Sequence, residues 1–148
     1  MRVALFQPDI AGNVGAVLRI GACFATRVDL IEPMGFAWDD KRVARAGMDY
    51  IDHVEIARHA NWAAFCEGIT SRVVLFTTRG AMRFDEAQFA PDDILLFGSE
   101  SAGVPDFVHD RADLRVKIPI AAGTRSLNLA VSAGIALSEA LRQTKGYP

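Results

Sequence analysis

With 148 residues, 51% of them hydrophobic, the chain is long enough to bury a core and too apolar to be disordered. Its formal charge of −2 excludes a protein held to nucleic acid by its overall field, so an RNA or DNA partner would need a local basic patch. Two distant cysteines, Cys23 and Cys66, and three scattered histidines, His53, His59 and His109, exclude a disulfide framework and show no metal-ligand spacing; the cysteines are expected to be buried thiols.

Residues 2–6 (R-V-A-L-F) form a strand-like run that begins at once, with no basic-then-apolar leader. No apolar run reaches the ~18 residues of a membrane span. The expectation is a soluble, cytoplasmic protein folded as one domain over residues 1–148. A polar loop, Pro8-Asp9-Ile10-Ala11-Gly12, follows the first strand, and Asn13 is placed to cap the next helix. Val14, Val17, Leu18, Gly21, Ala22 and Ala25 repeat at helical spacing, with Arg19 off the stripe. The small members predict close packing on a sheet. Residues 28–31 make a second strand, which completes a βαβ unit with parallel pairing.

Glu32-Pro33-Met34-Gly35 breaks regular structure. Residues 39–46 predict a short helix carrying Lys41, Arg42 and Arg45, either a solvated face or a phosphate-contacting patch, with Gly47 as its C-cap. A short strand is expected within 49–56. A helix capped by Asn61 should run to about Gly68, and strands are expected at 73–76, 93–97 and 114–118. The final helix is expected over 126–143, with Leu127, Val131, Gly134, Ile135, Ser138 and Leu141 on its apolar stripe. The fold class is therefore α/β, a mostly parallel sheet of about six strands flanked by about five helices.

Three polar loops follow strands: 7–13, 98–105 and 123–128. Loops that leave the C-terminal ends of parallel strands share one edge of the sheet. That edge should bring Asn13, Arg19, Glu100, Arg125, Ser126 and Asn128 within reach of one another. No G-x-G-x-x-G, Walker A or nucleophile-elbow pattern is present. Asn13 and Ser126 are equally ordinary helix caps, Glu100 could simply bond loop N–H groups, and Asn128 could be structural.

Asn13-Val14-Gly15 with Arg19, Phe97-Gly98-Ser99-Glu100 through Gly103-Val104-Pro105, and Ile118-Pro119 through Arg125-Ser126-Leu127-Asn128-Leu129 resemble, in order, the three motifs of the SPOUT RNA 2′-O-methyltransferases. Glu32-Pro33-Met34-Gly35-Phe36-Ala37-Trp38-Asp39-Asp40-Lys41-Arg42 is similar to the small branch of that class that methylates the wobble ribose of tRNA, at cytidine or uridine 34. The resemblance spans essentially the whole chain. It implies a C-terminal trefoil knot, S-adenosylmethionine as cofactor, the anticodon region of tRNA as partner, and a homodimer packed through the first and last helices. By that resemblance Phe76, Gly98, Ile118 and Ser126 bind the cofactor. Arg19, Asn13, Glu100 and Asn128 serve catalysis, Arg19 by positioning a phosphate and stabilising developing negative charge. The chain departs from the family pattern at Val14, where many relatives have Thr, and at Ser138, where Tyr is common.

Overall fold

The computed structural model describes residues 1–39, 48–80 and 82–148. Its centre is a seven-stranded sheet in which every pairing is parallel. The strands are β1 (Arg2–Phe6), β2 (Arg27–Ile31), β3 (Ile56–His59), β4 (Val73–Phe76), β5 (Met82–Arg83), β6 (Ile94–Phe97) and β7 (Leu114–Lys117), in the spatial order β3-β2-β1-β6-β4-β7-β5. The expected α/β class and parallel sheet are therefore found, with one strand more than the sequence pattern counted.

The central strands are apolar throughout because both sheet faces are covered. Val3, Leu5, Val74, Phe76, Leu95 and Phe97 point to one side and pack with helices α1 (Ala11–Cys23) and α4 (Leu129–Thr144). Their neighbours in sequence, Ala4, Phe6, Val73, Leu75, Ile94 and Leu96, point to the other side, toward α2 (Trp62–Glu67) and α3 (Asp106–Arg111). On α1 the expected stripe is found, with Val14, Val17, Leu18 and Gly21 buried. Gly21 is the contact point: a Cβ there would lie 2.7 Å from the Thr26 carbonyl oxygen and 2.8 Å from the Val28 side chain.

Several local expectations need correction. Residues Met48–His53 form a 3₁₀ helix, and the strand begins only at Ile56. Ile51 and Val54 pack as half-buried apolar residues against the α1 side of the core instead of pairing with β2. The segment with Lys41, Arg42, Arg45 and Gly47 lies outside the described residues. Asn61 does cap α2, accepting from the Ala64 N–H at 2.9 Å. The last helix starts at Leu129 and buries Leu129, Ala130, Ala133, Ala136, Leu137, Ala140 and Leu141. Leu127 and Val131, from the expected stripe, are exposed. The first half of this helix is apolar most of the way round, so periodicity alone fits two stripes, and the alanine face is the one slim enough to seat against the core. Cys23 is exposed and Cys66 half-buried, both free; burial pushes the Cys66 thiol up. Among the described residues no helix is long and apolar enough to cross a membrane.

The strand order reverses direction between β1 and β6. From β1 the chain builds outward through β2 to β3, while β6, β4, β7 and β5 lie on the other side. Loops from the C-terminal ends of β1, β4, β6 and β7 converge on the edge flanking this switch point, where open α/β sheets bind their ligands.

Candidate active site

These loops enclose a cavity of about 600 Å³. Its apolar part begins at Phe76, the last residue of β4, which stacks on Phe97 at 5.0 Å and on Phe89 at 6.2 Å. Ile118, just past β7, and Gly98, just past β6, also line it. An apolar slot with backbone N–H and C=O groups at strand ends suits a flat, weakly polar ring.

The polar wall is a directed chain of hydrogen bonds. Asn128 is the N-cap of α4, and its Oδ1 accepts from the backbone N–H of Ala130 (2.9 Å) and Val131 (3.2 Å). A backbone N–H can only donate, so Asn128 must present its Nδ2 to the cavity side. That nitrogen donates to Asn13 Oδ1 at 2.9 Å, which leaves Asn13 Nδ2 to donate to Glu100 Oε1 at 2.7 Å. The second oxygen, Glu100 Oε2, accepts from the Asp9 backbone N–H at 2.7 Å. Asp9 in turn accepts, through Oδ2, from the Ser101 hydroxyl (2.6 Å) and backbone N–H (2.9 Å), and these bonds hold its carboxyl below the usual carboxylate range. Five residues from three distant loops are locked into one arrangement.

Asn13 is thus not the cap of α1. The helix begins two residues earlier, with Ile10 at the N-cap and no side-chain cap bond, so the Asn13 amide is free to face Glu100 and Asn128. Ser126 is likewise not a cap; it lies on the exposed loop ahead of Asn128 and lines the cavity. Gly98 is required by the chain itself. A Cβ there would lie 2.4 Å from the Gly103 carbonyl carbon, because Ser99 and Gly103 exchange backbone hydrogen bonds at 3.0 and 2.9 Å and fold the loop back on itself. Gly103 closes that turn at φ +67°.

Of the residues expected to meet, Asn13, Glu100, Arg125, Ser126, Asn128, Phe76, Gly98 and Ile118 line this one cavity. Arg19 does not line it. Six residues beyond Asn13, it is about 9 Å further along the helix axis and on a different side. It is exposed, with its guanidinium 4.9 Å from the centre of the Tyr50 ring. Sequence reasoning missed Asp9, Ser101, the Thr77-Thr78-Arg79 turn and His109, all at or against the cavity. Asp9 was visible as a carboxylate at a strand's C-terminal end, but nothing in the spacing ties it to Ser101.

A cavity of this size, with an apolar slot beside a wall of oriented amides at the switch point of an open parallel sheet, defines an α/β protein that binds a nucleotide-like ligand. The chain belongs to the SpoU rRNA methylase family, whose model matches residues 1–138. It is 46% identical over 150 residues to a tRNA (cytidine(34)-2′-O)-methyltransferase of Ancylobacter novellus, covering 99% of this chain and 95% of the relative. The protein of the same name from Escherichia coli K12 is 37% identical over 151 residues, covering 100% of this chain and 96% of the relative. Among solved structures, one concerned with 2′-OH methylation of C/U34 on tRNA superposes with a TM-score of 0.92 at 42% identity, covering 96% of this chain and 94% of that one. An AdoMet-bound rRNA methyltransferase from Sinorhizobium meliloti gives a TM-score of 0.87 at 29% identity, covering 95% of this chain and 55% of that one. The resemblance read from the three motifs is borne out.

Proposed function

We propose that the protein is an S-adenosylmethionine-dependent methyltransferase that acts on the 2′-hydroxyl of nucleotide 34 of tRNA, cytidine or uridine. The observation that carries this reading is the meeting of all three motif loops in one cavity, joined by the Asn128–Asn13–Glu100 chain of hydrogen bonds. Relatives that share nearly the whole chain are named for 2′-O-methylation of cytidine 34 of tRNA, and a superposable structure concerns C/U34.

Phe76 and Ile118 would flank the adenine, and the backbone at Gly98 and the Ser126 hydroxyl would bond the nucleoside. Bound there, the cofactor supplies an electrophilic methyl group on a sulfonium. The chain's own residues have to place the ribose and manage its proton. Glu100 is held by two donors, Asn13 and the Asp9 N–H, and so acts as a fixed negative pole and not as a swinging base. Asn13 and Asn128 orient the ribose by dipoles that need no reorganisation during reaction. Arg125, on the cavity rim, is a cation within reach of a phosphate. Arg19 keeps its role as a phosphate-positioning cation, and because it stands outside the cavity of its own chain, that role requires bound RNA or a second copy to bridge the gap.

The homodimer and the trefoil knot belong to this proposal, as do a single domain over 1–148 and action in the cytoplasm. A dimer packed through α1 and α4 is supported by the exposed Ile10, Leu127 and Val131. A tightly threaded C-terminal region is supported by Gly80, where a Cβ would lie 2.5 Å from the Val116 carbonyl carbon.

The test is to incubate the protein with methyl-labelled S-adenosylmethionine and total tRNA, then map 2′-O-methyl groups along each labelled species. Label at position 34 is expected. Label confined to another position would move the substrate, and no label on any RNA despite measured cofactor binding would overturn the enzyme reading.

A further inference from the structure

His109 is the one imidazole in the cavity wall, and the chemistry above does not use it. It sits in the last turn of α3 and is only 8% exposed. Its backbone N–H bonds the Pro105 carbonyl at the helix start, but its ring, unlike that of His59, which meets Asp29 at 2.8 Å, has no hydrogen-bond partner among the described residues. His109 is largely buried and lines the cavity, yet its ring nitrogens are not among the sealed, unpartnered polar atoms of the core, and an imidazole whose nitrogens open on a cavity and meet no protein partner points to a ligand as that partner. The same helix turns the apolar Val108 into the core, so His109 is not needed to fill it.

We propose that His109 is a cofactor-contacting residue, whose uncharged imidazole offers a hydrogen-bonding edge to S-adenosylmethionine and whose protonation weakens binding of the sulfonium cofactor more than that of its uncharged thioether product. This rests on the cofactor reading above and deepens it. The charges facing the ring come from three elements. Arg79, on the turn after β4, and Arg115, on β7, act against a positive imidazole; Asp106 and Asp110, on α3 itself, act for it. Burial is the larger influence and, with the two arginines, holds the imidazole below the ordinary histidine value of 6.5. At neutral pH the ring is therefore uncharged and can both donate and accept. When acid protonates it, a positive charge appears beside Arg79 in the wall that must admit a sulfonium cation. S-adenosylhomocysteine lacks that cationic sulfur and is repelled less.

The experiment is calorimetric titration of the intact protein with S-adenosylmethionine and with S-adenosylhomocysteine between pH 5.5 and 8. It is run on wild type, His109→Gln and His109→Leu, with thermal melts confirming that each variant is folded. At pH 8, His109→Leu should bind either ligand about three- to tenfold more weakly, the loss expected for one hydrogen bond, and His109→Gln should recover part of it. As pH falls below 6.5, wild type should lose affinity for S-adenosylmethionine faster than for S-adenosylhomocysteine. Both variants should lose that difference. Folded variants that bind as wild type does, with the same pH slope, would overturn the proposal, as would a wild-type profile in which the two ligands weaken in parallel. Because the readout is cofactor binding and not transfer to RNA, a failure here leaves the substrate assignment standing, and a wrong RNA substrate leaves this result standing.

Discussion

Asn128 does two jobs with one amide. Its oxygen caps α4 and its nitrogen holds Asn13, so the orientation of both asparagines follows from two backbone N–H groups that can only donate. The two jobs can be separated. Asn128→Asp keeps an oxygen at the cap and adds a favourable negative charge at a helix N-terminus, but it faces the Asn13 carbonyl oxygen with another acceptor. Asn13 must then turn its amide and present its oxygen to Glu100. The thermal midpoint should stay within about 3 °C of wild type, while methyl transfer falls at least about tenfold, a barrier change near 1.4 kcal/mol. Asn128→Ala loses cap and relay together, and should also cost about 1 kcal/mol of stability in chemical denaturation. An Asn128→Asp protein with full activity would remove the relay from the chemistry.

The loop between β6 and α3 shows why an element can demand a residue that its local sequence does not explain. The family resemblance gives Gly98 to cofactor binding, yet the nearest atoms to a Cβ there are those of Gly103. Gly98→Ala should push the 99–103 turn outward, breaking the Ser99–Gly103 bonds and drawing Glu100 and Ser101 off Asp9 and Asn13. A loss of about 2 kcal/mol in denaturant unfolding, accompanied by loss of cofactor binding, is the expected outcome. An alanine variant with native cofactor affinity would show that the turn has room to spare. The C-terminal end of α4 makes a comparable case. Ser138, which departs from the family pattern, exchanges hydrogen bonds with Tyr147, its hydroxyl meeting the phenol at 2.6 Å, while the Tyr147 ring packs edge-on at 5.7 Å against Phe24, the C-cap of α1. The chain after the helix thus folds back and fills the space beside a small side chain.

For the whole molecule, three of the exposed large apolar residues, Met82, Phe107 and Tyr147, stand apart, and three others fall together at the first and last helices. Ile10, Leu127 and Val131 sit at the N-terminal ends of α1 and α4, close to the cavity, and Ile20 and Ile135 are half-buried further along the same helices. Val131 is 50% exposed, so Val131→Glu leaves the core intact and places a carboxylate in the first turn of α4, where the helix end favours it. Sedimentation should show a dimer for wild type and a monomer for the variant, with an unchanged thermal midpoint at high dilution. A variant that stays dimeric would place the subunit contact elsewhere.

What could be read from the sequence was what the chain encodes locally. The apolar runs at β1, β4 and β6, the α1 stripe with its small Gly21, and the order of three polar loops announced a parallel α/β sheet with a site on one edge. Only the tertiary structure decided the rest. The face of α4 that is buried depended on what it met, since its first nine residues hold a single polar side chain, Ser132, and leave the phase of the stripe open. Arg19 stands outside the cavity because it lies six residues along α1 from Asn13, on another side, where the Tyr50 ring meets its guanidinium. The bonds from Asp9 to Ser101 and from Asn13 to Glu100 join residues 92 and 87 positions apart, and no periodicity or spacing rule carries information over that distance. Local propensity writes the elements, but a site made where loops converge exists only once strand order has brought their ends together.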